Sequence, residues 1–295
     1  MTVYILRGIS GSGKSTYARR LAESGNAIIV SRDIIRQQFG ATEKTVLDRD
    51  TEKLVTRIER DQMREALYRG QDVVVDDTNL NNSNARQFAN LAHTLGHEYA
   101  VIDLPESDDL PLCISRSDIP ASAVTAQHKK WLKRKPVEAT VERIEPIEMP
   151  SSISVFDAYI FDMDGTLAHI DPDNPRDVYD GSRAQEDLCH AEVARIARAL
   201  DSYGAYVMVV SGRSEEHRQV TIDWLLANDI QFDGLFMRSA GDKRPDAQVK
   251  YELLQKIVAD GFRVTGVFDD REQVCDMWRA ARIKTFDVGQ GVSKF

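Results

Sequence analysis

Short apolar runs alternate along this chain with longer stretches whose apolar residues recur every three or four positions. Val3-Tyr4-Ile5-Leu6, Ala27-Ile28-Ile29-Val30, Asp72-Val73-Val74-Val75 and Tyr99–Leu104 read as buried strands. The segments between them have helical spacing. One helix follows Thr16, another starts at the cap Ser31 before Arg32-Asp33-Ile34-Ile35-Arg36, and a third runs from about Val46 to Tyr68 and stops at Gly70. Further helical patterns cover Asn84–Leu95, Asp109–Arg116 and Ala121–Leu132. Strands alternating with helices predict a mostly parallel sheet covered on both faces, with ligands beyond the carboxyl ends of the strands.

The rhythm lapses from Lys133 to Ser154, a charged stretch that holds Pro136, Pro146 and Pro150. It reads as a connection between two domains, placed at 1–150 and 151–295. A second α/β pattern then begins. Strands are expected at Ala158–Phe161, Val207–Val210, Leu235-Phe236 and Val264–Phe268. Helices are expected at Glu186–Tyr203, Glu215–Asn228, around Lys250 and around Trp278. The chain has 295 residues, room for two full cores, and shows no internal repeat or low-complexity segment.

Composition narrows this picture modestly. Apolar content of 42% and charged content of 29% suit a globular protein, and no apolar run is long enough for a membrane span. The first strand starts almost at once, leaving no room for a signal peptide, and Cys113, Cys189 and Cys275 are scattered and odd in number. Both features lead to the expectation of a reducing cytoplasm. The net charge of −9 is uneven, with 21 basic and 22 acidic residues through residue 150 and 17 against 25 after it. Such a chain is no general polyanion binder, yet a few arginines suffice to grip one strand end.

Candidate chemistry begins at Gly8-Ile9-Ser10-Gly11-Ser12-Gly13-Lys14-Ser15-Thr16, which has the spacing G-x-x-x-x-G-K-S between a strand and a helix. Glycines let successive backbone N–H groups turn toward one phosphate chain, at a helix start that favours anions. Lys14 can reach the terminal phosphates and the Ser15 hydroxyl can ligate Mg²⁺, so this is a nucleoside-triphosphate site. Asp33, at the end of the next strand, can take a proton from an attacking hydroxyl, and Arg36, one turn later, can hold a negative group on the same acceptor. Either could instead be a cap and a surface ion pair. Asp76 and Asp77 end a strand as a Walker-B-like acid would, near the metal or the acceptor, with a turn residue as the alternative for either.

In the second half, Asp162-Met163-Asp164-Gly165-Thr166 follows an apolar strand. Asp162 can attack phosphorus to form an aspartyl-phosphate, while Asp164 protonates the departing oxygen and then activates water. Anions beside a dianionic ester need a cation, and Asp269-Asp270 at another strand end can join Asp162 and Asp164 in holding Mg²⁺. Ser211 can hydrogen-bond the phosphoryl oxygens, and Lys250 can neutralise developing charge.

The first set of motifs, with Ser31-Arg32-Asp33, Arg36 and Asp77-Thr78-Asn79-Leu80, resembles the kinase half of bacteriophage-type polynucleotide 5′-kinase/3′-phosphatases. The second set resembles the haloacid-dehalogenase-type phosphatases. Within them, Ser211-Gly212-Arg213, Gly241-Asp242-Lys243-Arg244, Lys250 and Asp269-Asp270-Arg271 resemble the phosphatase half of the same phage enzymes. The resemblance covers nearly the whole chain. It implies an N-terminal P-loop parallel-sheet kinase domain followed by a C-terminal Rossmann-like phosphatase domain. It further implies Asp33 as general base on a 5′-hydroxyl and Arg36, with Asp77, Thr78 and Asn79, beside the polynucleotide. Arg116 would clamp the donor phosphates, and Arg213 and Arg244 would contact phosphate or substrate. Asp118-Ile119-Pro120-Ala121 stands where family lids carry a second arginine, so the lid is shortened and the clamp could fall to Lys129, Lys130 or another basic residue. The segment Val178-Tyr179-Asp180 would form a small loop near the phosphatase site.

These expectations describe an end-healing enzyme. ATP would phosphorylate 5′-OH ends of RNA or DNA, and a Mg²⁺-dependent centre would remove 3′-phosphate, with 2′,3′-cyclic phosphate as a second candidate. A separate ligase would then seal single-stranded or nicked ends. The family implies a homo-oligomer, no membrane, and the cytoplasm of an infected host cell if the chain is phage-encoded. Two alternatives stay open: a metabolite kinase fused to a metabolite phosphatase, and a kinase half that only senses nucleotide. His93 and His97 have metal-chelating spacing without an evident third ligand, and Trp131, Trp224 and Trp278 fall on helical patterns as core residues.

Overall fold

A computed structural model describes residues 1–41, 47–151, 156–177 and 180–289. Val178 and Tyr179 of the expected small loop, with Val46, Ser152, Ile153 and Ser154, lie outside the described residues. The chain divides into two compact units, one made of Met1–His93 and His97–Arg143, the other of Ile144 onward with Thr94–Gly96.

The first unit contains, in order, β1 (Thr2–Arg7), α1 (Lys14–Ser24), β2 (Ala27–Val30), α2 (Arg32–Gln38), α3 (Arg49–Tyr68), β3 (Asp72–Val75), α4 (Asn82–Thr94), β4 (Glu98–Asp103), α5 (Leu110–Arg116) and α6 (Ala121–Trp131). A 3-10 turn, Pro105–Asp108, joins β4 to α5. The strands pair in parallel in the order β2-β3-β1-β4, which leaves their carboxyl ends on one edge. Alternation sorts the side chains of β1. Leu6 packs with Ala18 of α1, and Val3 and Ile5 are equally buried. A second small core joins Ile9 of the glycine loop to Cys113, Val124 and Trp131. Trp131 is fully buried, donates its Nε1–H to Asp108 (2.7 Å), and lies under the Arg134 guanidinium, 3.6 Å from its ring centroid.

Polar groups also fix α2. Asp77 Oδ1 accepts from the Arg32 N–H at the start of α2 (3.1 Å), while the Arg32 side chain reaches Thr56 (2.7 Å), Glu52 (2.7 Å) and Glu59 (3.3 Å) on α3. Glu59 is almost completely buried, and burial beside Asp77 pushes its carboxyl up to about 9. Burial raises Asp77 too.

The second unit contains β5 (Phe156–Phe161), β6 (Ala168–His169), β7 (Leu188–Cys189), α7 (Ala191–Tyr203), β8 (Tyr206–Ser214), α8 (Arg218–Ala227), β9 (Gly234–Arg238), α9 (Asp246–Ala259), β10 (Phe262–Asp269), α10 (Glu272–Ala280) and β11 (Thr285–Asp287). Its main sheet, β11-β10-β5-β8-β9, is parallel throughout. Ile160, Met208 and Val267 pack against Leu254 and Trp278 on one face, and Phe161, Val209 and Phe268 against Ala194 and Trp224 on the other. Ile144 is buried in the first of these cores, where Ile147 and Met149 also pack.

Two expectations need correction. The helix expected from Glu186 begins only at Ala191, because Leu188-Cys189 pairs antiparallel with Ala168-His169 instead of coiling. The strand through Val210 continues to Ser214, carrying Ser211-Gly212-Arg213 within it. The three tryptophans are core residues, and the cysteines are free.

Two outcomes are expected from this packing. Trp131→Ala should cost the first unit about 3–5 kcal/mol, seen in thermal unfolding as a lowered transition for that unit alone. The raised carboxyl of Glu59 contributes stability that is complete below its ordinary value of 4.5 and is lost as pH rises through about 9. Glu59→Gln keeps a neutral partner there, so its denaturant midpoint should fall less than that of the unaltered protein between pH 6 and pH 9.

Candidate functional sites

Each unit gathers polar side chains at the carboxyl edge of its sheet. In the first, Gly8 to Gly13 turn from β1 into α1, with Gly11 (φ 80°) and Gly13 (φ 86°) in the left-handed region. Lys14 opens α1 and is nearly buried, its Nζ donating to Ile9 O of its own loop (2.8 Å). Burial lowers its pKa, and the negative charges of Asp76, Asp33 and Asp77 oppose that shift. Ser15 and Thr16 are exposed on the first turn. Buried and without a hydrogen-bond partner are Ser12 Oγ and Asp76 Oδ1.

Asp33 lies in the first turn of α2, and 81% of its side chain is exposed. Arg36 donates to it (3.1 Å) and forms a fork with Glu52 (2.9 and 3.0 Å). That pairing raises the Arg36 pKa further and lowers that of Glu52. Asp77, Thr78 and Asn79 serve the scaffold here. Thr78 O accepts from Gly8 N–H (3.1 Å), and buried Asn79, at φ 48°, donates to Leu6 O (2.8 Å), so this turn holds the start of the glycine loop. Arg116 ends α5 in an exposed position.

In the second unit Asp162 follows β5 and Asp269 ends β10, both buried. Lys250, fully buried in the middle of α9, puts its Nζ 2.7 Å from Asp162 Oδ1 and 2.9 Å from Asp269 Oδ2. Trp278 Nε1 donates to the same Asp269 oxygen (3.1 Å). Asp246, one helical turn before Lys250, stands 3.7 Å from Nζ and also pairs with Arg238 (2.9 Å) and Arg271 (3.2 Å). Burial opposes the Lys250 charge, yet Asp162, Asp269 and Asp246 overcome it and hold the ammonium protonated. Burial raises Asp162, and Asp269 and Asp270 add to that against Lys250.

Ligand oxygens of Asp162, Asp269 and Asp270 lie within 4.8 Å of one another, the group among the described residues suited to hold a metal ion. Three crowded carboxylates facing one ammonium are short of positive charge, and an all-oxygen set fits a hard divalent cation such as Mg²⁺. Gly165 (φ 89°) is required, since a Cβ there would lie 2.1 Å from Asp270 Oδ2. Ser211 is buried, its Oγ accepting from Arg213 N–H (3.1 Å).

The Asp164 carboxylate is not one of that group and is engaged by arginines instead. Arg213 donates to both its oxygens (2.8 and 2.6 Å) and Arg176 to one (3.3 Å). Both arginines are anchored on buried Asp187, at 2.8 Å from Arg213 and at 2.8 and 2.6 Å from Arg176. Arg244 is exposed and engaged by Asp242 and Glu252. Arg176, Asp187, Asp246 and Glu52 escaped the sequence reading because none lies in a spaced motif or at the end of a predicted strand. His93 Nδ1 sits 3.1 Å from Val141 O and belongs to no ligand cluster among the described residues.

Comparison with known proteins finds matches to both units. Residues 156–292 match the family described as the polynucleotide kinase PNKP phosphatase domain, and residues 3–130 match the AAA domain family. A protein of Autographa californica nuclear polyhedrosis virus, provisionally named as a bifunctional polynucleotide kinase/RNA ligase, is 31% identical over 95% of this chain. The chain spans 41% of that relative's length. Two solved structures of Pnkp1/Rnl/Hen1 complexes, one described as an RNA repair complex, contain similar chains. One is 28% identical, with TM-score 0.46, over 98% of this chain and 96% of that one. The other is 26% identical, with TM-score 0.47, over 99% and 97%. The chain thus pairs a segment similar to AAA-type P-loop domains with one similar to polynucleotide kinase PNKP phosphatase domains.

Proposed function

We propose that this chain heals nucleic-acid ends, phosphorylating 5′-hydroxyls with ATP in the first unit and removing 3′-phosphates in the second. The observation that carries this reading is that one chain holds both a glycine loop with Lys14, followed by an open carboxylate, Asp33, on α2, and a buried Asp162–Lys250–Asp269 cluster in a segment that matches the polynucleotide kinase phosphatase family. That family match favours a polynucleotide over a metabolite as substrate.

In the kinase reaction, Asp33 accepts the proton of the 5′-hydroxyl as its oxygen bonds the γ-phosphorus and the bond to the β-phosphate oxygen breaks. Arg36 beside it meets the acceptor's neighbouring phosphate, exchanging part of its fork with Glu52. Lys14 leaves Ile9 O for the transferring phosphate, and Gly8, Ser10, Gly11, Ser12, Gly13, Ser15, Thr16 and Arg116 complete the ATP site. In the phosphatase reaction, an Asp162 oxygen attacks phosphorus and the bond to the 3′ oxygen breaks. Asp164, fixed by Arg213 and Arg176, protonates that oxygen and then takes a proton from the water that releases phosphate. Ser211 and Lys250 hold the phosphoryl oxygens. Mg²⁺ at Asp162, Asp269 and Asp270 would neutralise the charge that gathers there.

The proposal extends to a ligase that joins the healed ends, supported by the baculovirus relative's name, and to a cytoplasmic setting. No helix among the described residues is long and apolar enough to cross a membrane.

Radiolabelled ATP with 5′-OH RNA and DNA oligonucleotides, and oligonucleotides ending in 3′-phosphate, test both activities and rank the substrates. Asp33→Ala should abolish labelling and leave 3′-phosphate release intact, and Asp162→Asn should do the reverse. Loss of both activities in either variant would contradict independent centres. Chelation of divalent cations should stop 3′-phosphate release, and Mg²⁺ should restore it.

A further inference from the structure

Phosphate binding uses the inner face of a glycine loop, and its shape must also be held from outside. Here the 105–131 arm, made of the 3-10 turn, α5 and α6, supplies that hold. Ser107, fully buried, accepts from the Ile9 N–H through its Oγ (3.2 Å). Gln127 of α6 accepts from the Ser10 N–H through Oε1 (2.7 Å). The loop's glycines are fitted to the arm. A Cβ on Gly8 would come within 2.7 Å of Ser107 Oγ, and one on Gly11 within 2.1 Å of Cys113 O. Ile9 is then clasped by Cys113, Val124 and Trp131.

We infer that Ser107 and Gln127 are positioning residues for the nucleotide site. They occupy the two outward N–H groups of the loop, Ile9 and Ser10, and so keep the turn from Gly11 to Lys14 open toward the phosphates before ATP arrives. Neither side chain touches phosphate; each acts through a backbone amide. The loop would otherwise pay ordering entropy on binding, so the gain appears as affinity and not as chemical rate. The inference rests on the reading of Gly8–Thr16 as an ATP site, and it treats the motif's first glycines as space for the arm as much as for the phosphates.

Titration calorimetry of Mg–ATP into the full chain tests it without any acceptor. Gln127→Leu and Ser107→Ala should each raise Kd about tenfold, the order expected when a buried donor loses its partner. At saturating ATP the phosphorylation rate should stay within about twofold, and 3′-phosphate release should be unchanged. Amide hydrogen exchange should quicken at Ile9 and Ser10 in these variants while β1 and β3 keep their protection, which general destabilisation would not produce. Thr125→Ala, on the same helix but bonded only to Ala121 O, should match the unaltered protein. Wild-type affinity in both variants, or an equal loss in Thr125→Ala, overturns the inference and leaves the kinase assignment standing. A wild-type chain that binds no Mg–ATP overturns the nucleotide reading and this inference with it.

Discussion

The ammonium of Lys250, sealed between the carboxylates of Asp162 and Asp269, is the interaction on which the second unit depends. Isolated burial of any of these groups would be prohibitive, and their mutual attraction is what makes the arrangement tolerable. The arrangement is also undercharged. Asp270 joins the same oxygen cluster, and Asp246 is turned aside by Arg238 and Arg271. A polar centre held in this state has room for further positive charge, which is what the divalent cation proposed above would supply.

The first unit solves a related problem by different means. The Asp33 carboxylate stays at the rim, and the backbone does the gathering. Asn79 ties the loop's start to Leu6, Thr78 takes the Gly8 amide, and Asp77 starts α2. A ladder of Arg32, Glu52 and Arg36 then carries the orientation of α3 to Asp33. The open carboxylate is thus placed by partners that are themselves half-buried and multiply bonded.

Most of the architecture was legible because it is written in strands with continuous apolar runs, each ending in a motif. Val73–Val75, Ile160–Phe161 and Val267–Phe268 announce both the sheet and the edge where chemistry gathers. What stayed hidden is of two kinds. Elements too short to carry a period, such as β11 and the β6–β7 pair, have no pattern to detect, and Leu188 falls by chance on the spacing of the helix that follows. Partner residues form the other kind. Asp187 meets Arg213 across 26 positions, and Gln127 meets Ser10 across 117, so neither pairing leaves a local trace.

The bond from Trp278 to Asp269 has a use beyond holding that carboxylate. The indole is wholly excluded from solvent and reaches the same oxygen that Lys250 holds, so its ultraviolet emission should change if the charge around Asp269 changes. The fluorophore is thus built into the floor of the proposed phosphatase centre, beside the cluster where the cation would sit.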